Sequence, residues 1–284
     1  MAEVRLLFVD VAPALLSLFD SYAAEAAFGR RYIAADLERL VPGARILEVG
    51  AGSLLLSCQL MREGFAVTAL EPVSVGFSHF DEMRRLVLEK ARALACCPEI
   101  IDQAAEVLAV DQRFDYAFSV NVMEHVDDVA LVLKNVGRSM RVGASYRFTC
   151  PNYLFPYEPH FDIPTLFSKR LTERLLGEKI FASSRMGDPA GTWQSLNWIT
   201  VPQLKRYVRR LTGLRLTFNR SMLVSTLARV ASDPDFAGRR SPALRRLLMM
   251  MVRWRMHHLF GGIPAALQPI MDCRLEKIGE CQEI

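Results

Sequence analysis

The stretch Ile46-Leu47-Glu48-Val49-Gly50-Ala51-Gly52-Ser53 decides the fold. It reads as a strand over Arg45–Val49 that enters a glycine turn and continues into a helix near Leu54–Glu63. Glycines suit such a turn because a tight reversal demands backbone angles that side chains disfavour. They also let a ligand press against bare main chain. The first turn of the following helix presents N–H groups with no partner inside the helix.

Working outward, the same alternation repeats. Short apolar strands are expected at Val67–Leu70, Glu99–Asp102, Tyr116–Val120 and Ser145–Cys150, with helices near Phe80–Ala95 and Val129–Met140 between them. This alternation predicts an α/β fold, a mostly parallel, doubly wound seven-stranded sheet with helices on both faces. Residues 1–40 read as an N-terminal helical segment closed by Pro42-Gly43, and residues 41–284 as the main domain. Past Cys150 the texture changes. Residues 151–200 mix prolines with Tyr153, Phe155, Tyr157, Phe161, Trp193 and Trp198, which predicts loops and short helices forming an inserted lid over the site. A helix over Val201–Leu211 and a strand over Leu214–Arg220 follow. A helix over Ser241–Phe260 and a last strand near Cys273–Lys277 complete the chain.

Two cofactor classes use a strand–glycine turn–helix. Dinucleotides favour G-x-G-x-x-G, with a pyrophosphate at the helix N-terminus. Here Leu55 stands where the third glycine of that pattern would be. Glu48, two residues before Gly50, would oppose a pyrophosphate but suits the cationic end of a sulfonium nucleoside. Glu71 ends the next strand, 19 residues after Gly52. A carboxylate placed there can accept hydrogen bonds from both ribose hydroxyls, in either cofactor class.

The runs Leu47-Glu48-Val49-Gly50-Ala51-Gly52, Ala69-Leu70-Glu71-Pro72 and Phe114-Asp115 through Glu124-His125-Val126 together resemble the class I, Rossmann-like S-adenosylmethionine-dependent methyltransferases. The resemblance covers about residues 40–160, and is greatest to the members with a Glu-His pair after strand four. One departure is Leu54, where many members carry a further glycine. The resemblance implies S-adenosylmethionine as cofactor, held by Glu48, Gly50, Ala51, Gly52, Glu71, Pro72 and Asn121. Main chain at Ala104 and Ala105 would read the adenine edge, with Asp102 and Gln103 beside it.

Ligands of open parallel sheets lie beyond the strands' carboxyl ends, which puts Asn121, Glu124 and His125 near the reacting groups. His125 is a candidate base, because imidazole titrates near neutrality. The alternative is that the Glu-His pair braces the next helix. After strand five, Asn152, Tyr153, Tyr157 and Glu158 are candidate substrate contacts, His160 is a second candidate base, and Ser195-Leu196-Asn197-Trp198 is a candidate closing segment. A histidine-bearing pocket favours O-methylation of a small-molecule or glycan-like acceptor. A nucleotide-dependent oxidoreductase and a non-catalytic nucleoside-binding protein of the same fold are the alternatives.

Composition bounds the rest. Hydrophobic residues make up 51%, enough for a large core, and a formal charge of +4 gives no reason to expect a nucleic-acid partner. Cys58, Cys96, Cys97, Cys150, Cys273 and Cys281 show no metal-ligand spacing with one another or with the five histidines. No metal is expected, and free thiols point to a reducing cytoplasmic location. No signal peptide and no spanning helix are expected. Residues 239–260 carry Arg239, Arg240, Arg245, Arg246, Arg253 and Arg255 among Leu247–Val252 and Trp254, with no acidic residue. Such a helix can lie on an anionic membrane. Its unbroken run of apolar residues favours instead a packed helix whose arginines reach outward.

Overall fold

Strand β1 (Arg45–Val49) sits at the middle of a sheet, with Ile46, Leu47 and Val49 buried on both of its faces. It pairs in parallel with β2 (Ala66–Leu70) on one side and with β4 (Phe114–Val120) on the other. β3 (Glu99–Ile101) extends the first side in parallel, and β5 (Met140–Pro151) extends the second. The computed structural model describes residues 1–283 apart from 73–77, 167, 185–187, 233–236 and 238–241. The full order is β3-β2-β1-β4-β5-β7-β6, with β6 (Leu214–Phe218) at one edge. β7 (Ile270–Lys277) is antiparallel to both β5 and β6. The reason is local: the chain enters β7 at Ile270 opposite Pro151, at the carboxyl end of β5, and must run back.

The helices divide between the faces. Helices α1 (Ala2–Val11), α2 (Leu16–Tyr32), α3 (Ala34–Leu37), α4 (Leu55–Arg62) and α5 (Ser78–Ala93) bury Phe8, Phe19, Leu37, Leu60 and Leu86 against Ile46, Tyr116 and Phe118. Helix α6 (Val129–Ser139) packs Val132, Leu133 and Val136 on the opposite face, against Leu47, Val49 and Ala117. Adjacent strand residues go to opposite cores, as the two-residue period of a strand requires. Helices α7 (Lys169–Phe181) and α8 (Pro189–Ser195) follow β5 and join a third, smaller core of Tyr153, Phe161, Ile163, Ile180, Trp193 and Leu196. The aromatic segment therefore carries a core of its own. Helix α9 (Val201–Arg209) returns the chain to the face of α6, through Leu204 and Val208.

Two expectations change. Helix α10 (Ser221–Ser232) follows the expected strand in a stretch for which no element was expected. The basic helix α11 (Pro242–Arg253) is shorter than expected and breaks into a 3-10 segment at Met256–Gly262. It has no buried residue: Leu247, Met250 and Trp254 are 48%, 49% and 71% exposed. The packed-helix expectation fails because α11 rests mainly on α10 and that 3-10 turn, rather than entering a core. Arg239 and Arg240 lie outside the described residues. Among the described residues, no helix is long and apolar enough to cross a membrane.

A buried ionic cluster joins the N-terminal helices to the sheet. Arg147 on β5 pairs with Asp36 and with Asp272, each at 2.9 Å, and its guanidinium lies 4.1 Å from the centre of the Tyr32 ring. Arg274 also pairs with Asp36, and Tyr32 donates its hydroxyl to Asp272 at 2.7 Å. Removing one partner leaves buried charge without compensation, which costs about 3–5 kcal/mol. Arg147→Met is expected to lower stability by about 3 kcal/mol in urea unfolding. An unchanged midpoint would show that the cluster contributes nothing.

Candidate active site

The glycine turn is held from both sides. Gly50 N–H donates to Leu70 O at 2.8 Å, which fixes the end of β1 against β2. Gly50 has φ +74, and a Cβ there would lie 2.4 Å from Val122 Cγ2. The turn therefore touches the loop that follows β4, and only glycine permits that approach. At Gly52, φ is +47 and, among the described residues, nothing lies within 4 Å of a would-be Cβ.

Leu54 also adopts a left-handed conformation, with φ 64. Such a conformation costs roughly 1–2 kcal/mol for a residue with a Cβ. Leu54 is 1% exposed and packs into the core beneath α4, a burial that contributes about 1.5–3 kcal/mol. Burial offsets the strain, so the turn keeps the glycine-like conformation without the glycine.

Glu71 lies at the end of β2. Its Oε2 accepts the Gly52 N–H at 3.0 Å, and its Oε1 faces Arg84 at 3.3 Å. Arg84, on the inner face of α5, also donates from Nε to Gly52 O at 2.9 Å. Burial raises the Glu71 carboxyl above its ordinary value, while the Gly52 N–H and Arg84 oppose that rise. Sequence reasoning missed Arg84, since one arginine on an amphipathic helix carries no motif. Pro72 is half-buried beside Glu71, and the chain beyond it, 73–77, is outside the described residues.

Glu48 lies below the glycine turn. Its side chain is 6% exposed beneath the turn and accepts a hydrogen bond from Ser57 of α4. Burial, aided by the charge of Glu71 and opposed by the Ser57 hydrogen bond, pushes its carboxyl up to about 8. On the adenine side, Ala105 is buried and Ala104 half-buried, and Asn135 Nδ2 holds this loop by donating to Ala105 O and Glu106 O. Glu106 in turn accepts the Asp127 N–H at 2.9 Å, tying the loops after β3 and β4 together.

Beyond β4, Asn121 is exposed with φ 55, and its N–H donates to Thr149 O. Glu124 is fully buried, and among the described residues neither carboxylate oxygen has a hydrogen-bond partner of good geometry. Burial pushes it up to about 7, opposed by its own backbone N–H and by the charge of His160, with that of Glu158 adding. His125 Nδ1 lies 2.7 Å from Ser195 Oγ, and Ser195 donates its own proton to Thr192 O at 2.9 Å. The ring therefore donates from Nδ1, and the lone pair of neutral His125 is on Nε2. Burial and the nearby His160 push His125 down to about 4.

His160 arrives from the loop after β5. The turn 158–163 is closed by two backbone hydrogen bonds between Glu158 and Ile163. The Glu158 carboxylate takes the Phe161 N–H at 2.7 Å and lies 2.6 Å from His160 Nδ1. Burial opposes charge on His160, but the hydrogen bond and charge of Glu158, together with the charges of Glu124 and Glu25, outweigh it and raise the ring's value. The His125 and His160 rings meet edge to face, 5.4 Å between centres. One ligand atom each from Glu124, His125 and His160 lie within 4.8 Å of one another.

The remaining candidate contacts separate. Tyr153 is buried, stacks on Trp198 with centres 5.0 Å apart, and donates to Glu158. Asn152 is fully buried and its amide donates to Ala265 O, Ala266 O and Gln268 O, which leaves no donor for a substrate. Tyr157 is on the outer surface, bonded to Asp162. Asn197, expected only as part of a closing segment, binds Met123 O and Val126 O through Nδ2 and so holds the Glu124–His125 loop.

A methyltransferase-domain family model matches residues 23–216, more than half of the chain. The chain belongs to this methyltransferase family. It is an enzyme of the S-adenosylmethionine-dependent kind, and the oxidoreductase alternative is set aside by that match. An uncharacterised protein of Mycobacterium tuberculosis is 51% identical over 98% of this chain and 94% of its own. A ubiquinone biosynthesis O-methyltransferase of Azorhizobium caulinodans is 33% identical over 38% of this chain and 41% of its own. A solved S-adenosylmethionine-dependent methyltransferase from Mesorhizobium loti shares the fold, with a TM-score of 0.51 at 16% identity over 87% of this chain and 98% of that one.

The methyltransferase's turn fits its cofactor. Gly52 offers open backbone, and Glu71 keeps lone pairs beyond those facing Gly52 and Arg84 for a ribose diol. Glu71→Ala is expected to weaken S-adenosylhomocysteine binding at least about tenfold by calorimetry; wild-type affinity would remove Glu71 from the ribose site.

Glu48 makes a separate prediction. Folded, it holds its proton up to about 8; unfolded, it ionises near 4.5. The folded chain thus keeps a proton that the unfolded chain has lost, and stability falls as pH rises between those values. Glu48→Gln is expected to flatten that fall by about 3–5 kcal/mol. Urea midpoints at about pH 5 and about pH 8.5 check it; a difference between variant and wild type that does not widen with pH refutes it.

Proposed function

We propose that this enzyme methylates a hydroxyl oxygen of a small-molecule acceptor. One observation carries the reading: Glu124, His125 and His160 converge within 4.8 Å, the first two on the loop that touches the Gly50 turn. Bound S-adenosylmethionine supplies a methyl group already activated by its sulfonium. A hydroxyl acceptor needs help in shedding its proton, and the chain's protonatable side chains gather where that proton would leave.

The roles follow from the contacts. Gly50–Gly52 and Glu71 seat the nucleoside and the methionine end. Tyr153 and Trp198, stacked above the small core of the lid, form an apolar wall for the acceptor. His160, held by Glu158, and His125, held by Ser195, face the acceptor oxygen with Nε2. Positioning supplies much of the rate, since alignment of two bound reactants is worth up to roughly 7–11 kcal/mol. The partial likeness to ubiquinone biosynthesis O-methyltransferases supports oxygen over nitrogen.

The test is methyl transfer from isotope-labelled S-adenosylmethionine to a panel of phenols, catechols and glycosides, with products located by mass spectrometry. O-methylated product is expected, with His160→Gln lowering kcat about 100-fold and leaving cofactor affinity unchanged. Transfer only to nitrogen or carbon, or a His160→Gln enzyme of wild-type kcat, overturns the reading.

A further inference from the structure

The Glu124 carboxylate poses a problem that the O-methylation reading leaves open. It is fully buried, yet among the described residues neither oxygen has a hydrogen-bond partner. Buried carboxylates are ordinarily satisfied, and leaving one without partners costs several kcal/mol. Around it the polar groups are ordered with unusual care. The backbone of its loop is held by Asn197, which donates to the carbonyls of Met123 and Val126 and takes the Glu124 carbonyl on its own N–H at 2.8 Å. The chain thus fixes the position of a carboxylate that it does not satisfy.

The two histidines show the complementary pattern. Each has its Nδ1 proton engaged by a dedicated acceptor, Ser195 Oγ for His125 and the Glu158 carboxylate for His160. Ser195 is itself oriented by its bond to Thr192 O, and Glu158 by the Phe161 N–H. In neutral form both rings therefore present a lone pair on Nε2. An outer group that fixes tautomer and ring orientation through the other nitrogen is how proteins prepare a histidine as a metal ligand.

We infer that Glu124, His125 and His160 form a binding site for one divalent first-row transition ion. Two imidazoles and one carboxylate are the donor set of such ions, zinc, cobalt, manganese and iron among them, whereas magnesium prefers oxygen donors and keeps its water. The ligand atoms lie within 4.8 Å of one another. Bonds of about 2.0–2.2 Å require the three donors to draw in by on the order of 1 Å. His160 sits on a separate loop from the other two, so that adjustment is a shift of the lid toward the sheet. Three protein ligands leave an open side, the pattern of catalytic rather than structural sites.

This inference rests on the O-methylation reading for its purpose, not for its geometry: with the ion bound, Nε2 of His125 and His160 act on the acceptor hydroxyl through the ion and not as free bases. A hydroxyl on the open side of the ion gives up its proton to water more readily. The oxygen keeps the lone pair that forms the new C–O bond, and the electron pair of the broken S–C bond leaves with sulfur. The charge balance closes: a neutral hydroxyl and a sulfonium become a neutral ether, a neutral thioether and one proton in solvent.

The experiment uses the full chain, stripped with a chelator and titrated with cobalt(II) while visible absorption and bound metal are followed. One cobalt per chain is expected, with the absorption of nitrogen and oxygen ligation. Glu124→Gln and His160→Gln should each weaken binding at least tenfold. His160 is partly exposed, so its variant should fold even where the Glu124 variant does not, and circular dichroism checks both. Magnesium at equal concentration should not compete. No stoichiometric cobalt, affinity unchanged in a folded His160 variant, or full competition by magnesium overturns the metal site. Methyl transfer to oxygen that persists in chelator, with no cobalt bound, would overturn the metal and leave the O-methylation reading standing. Cobalt bound by the three ligands in an enzyme that methylates only nitrogen would do the reverse.

Discussion

The approach of Gly50 to Val122 is the contact on which the site depends. A single Cβ at Gly50 would meet Val122 Cγ2 at 2.4 Å, so the glycine is required by packing as well as by its φ of +74. The contact brings the turn after β1 against the loop after β4. That loop contains Asn121, Glu124 and His125. The cofactor turn and the histidine cluster are therefore neighbours because two parallel strands, paired at Ile46–Tyr116 and Glu48–Phe118, end side by side. Ligand sites at the carboxyl edge of such sheets are a consequence of this geometry, since every crossover returns the chain to the same edge.

Four carboxylates occupy this edge, and their surroundings give them different tasks. Glu71 faces an arginine and a backbone N–H, so it can hold charge and accept hydroxyls. Glu48 lies deeper, with Ser57 as its donor, and burial pushes it up to about 8. It acts in the resting chain as a neutral prop under the turn. Glu158 collects the Phe161 N–H, the Tyr153 hydroxyl and the His160 ring. Glu124 collects nothing. The contrast between the last two separates a carboxylate that orients a histidine from one that awaits a ligand.

How far the residues revealed this depended on the distance over which each feature is encoded. β1 was legible to the residue, and the central strands were placed by their apolar runs, because burial on both faces leaves a local signature; the exposed edge strand β3 was placed by its two isoleucines. The glycine turn and Glu71 were legible for the same reason: each is fixed by its position at a strand end. The strand β7 was placed but not its direction, which is set by where the preceding segment leaves the chain, opposite Pro151. The exposure of α11 ran against its composition, since apolar residues signal a core only if a partner surface exists. The roles of Asn152, Glu158 and His160 were hardest to read. Aromatic and polar residues after β5 announced a pocket, but not that Asn152 would be absorbed by the carbonyls near residue 266 while Glu158 turned inward. The cluster with Glu124 joins residues 36 apart in sequence, and ligand spacing rules applied along the chain do not reach that far.

The lid explains how such a distant residue is placed so closely. Residues 153–198 hold a small core of their own, in which Phe161 and Trp193 meet edge to face, with ring centres 5.6 Å apart. Lys169 reinforces it by donating to the carbonyls of Gln194 and Leu196. His160, next to Phe161, and Ser195, next to Leu196, are thus carried by one packed unit. That unit meets the main sheet through Asn197, which grips the Glu124–His125 loop. Ser195 and Asn197 tie the lid to the β4 loop, so a small movement of the 158–163 turn about those ties changes the distance from His160 to Glu124 while Glu158 keeps its hold on the ring. A site built between two cores can close on a ligand by moving one against the other, with no need to repack either.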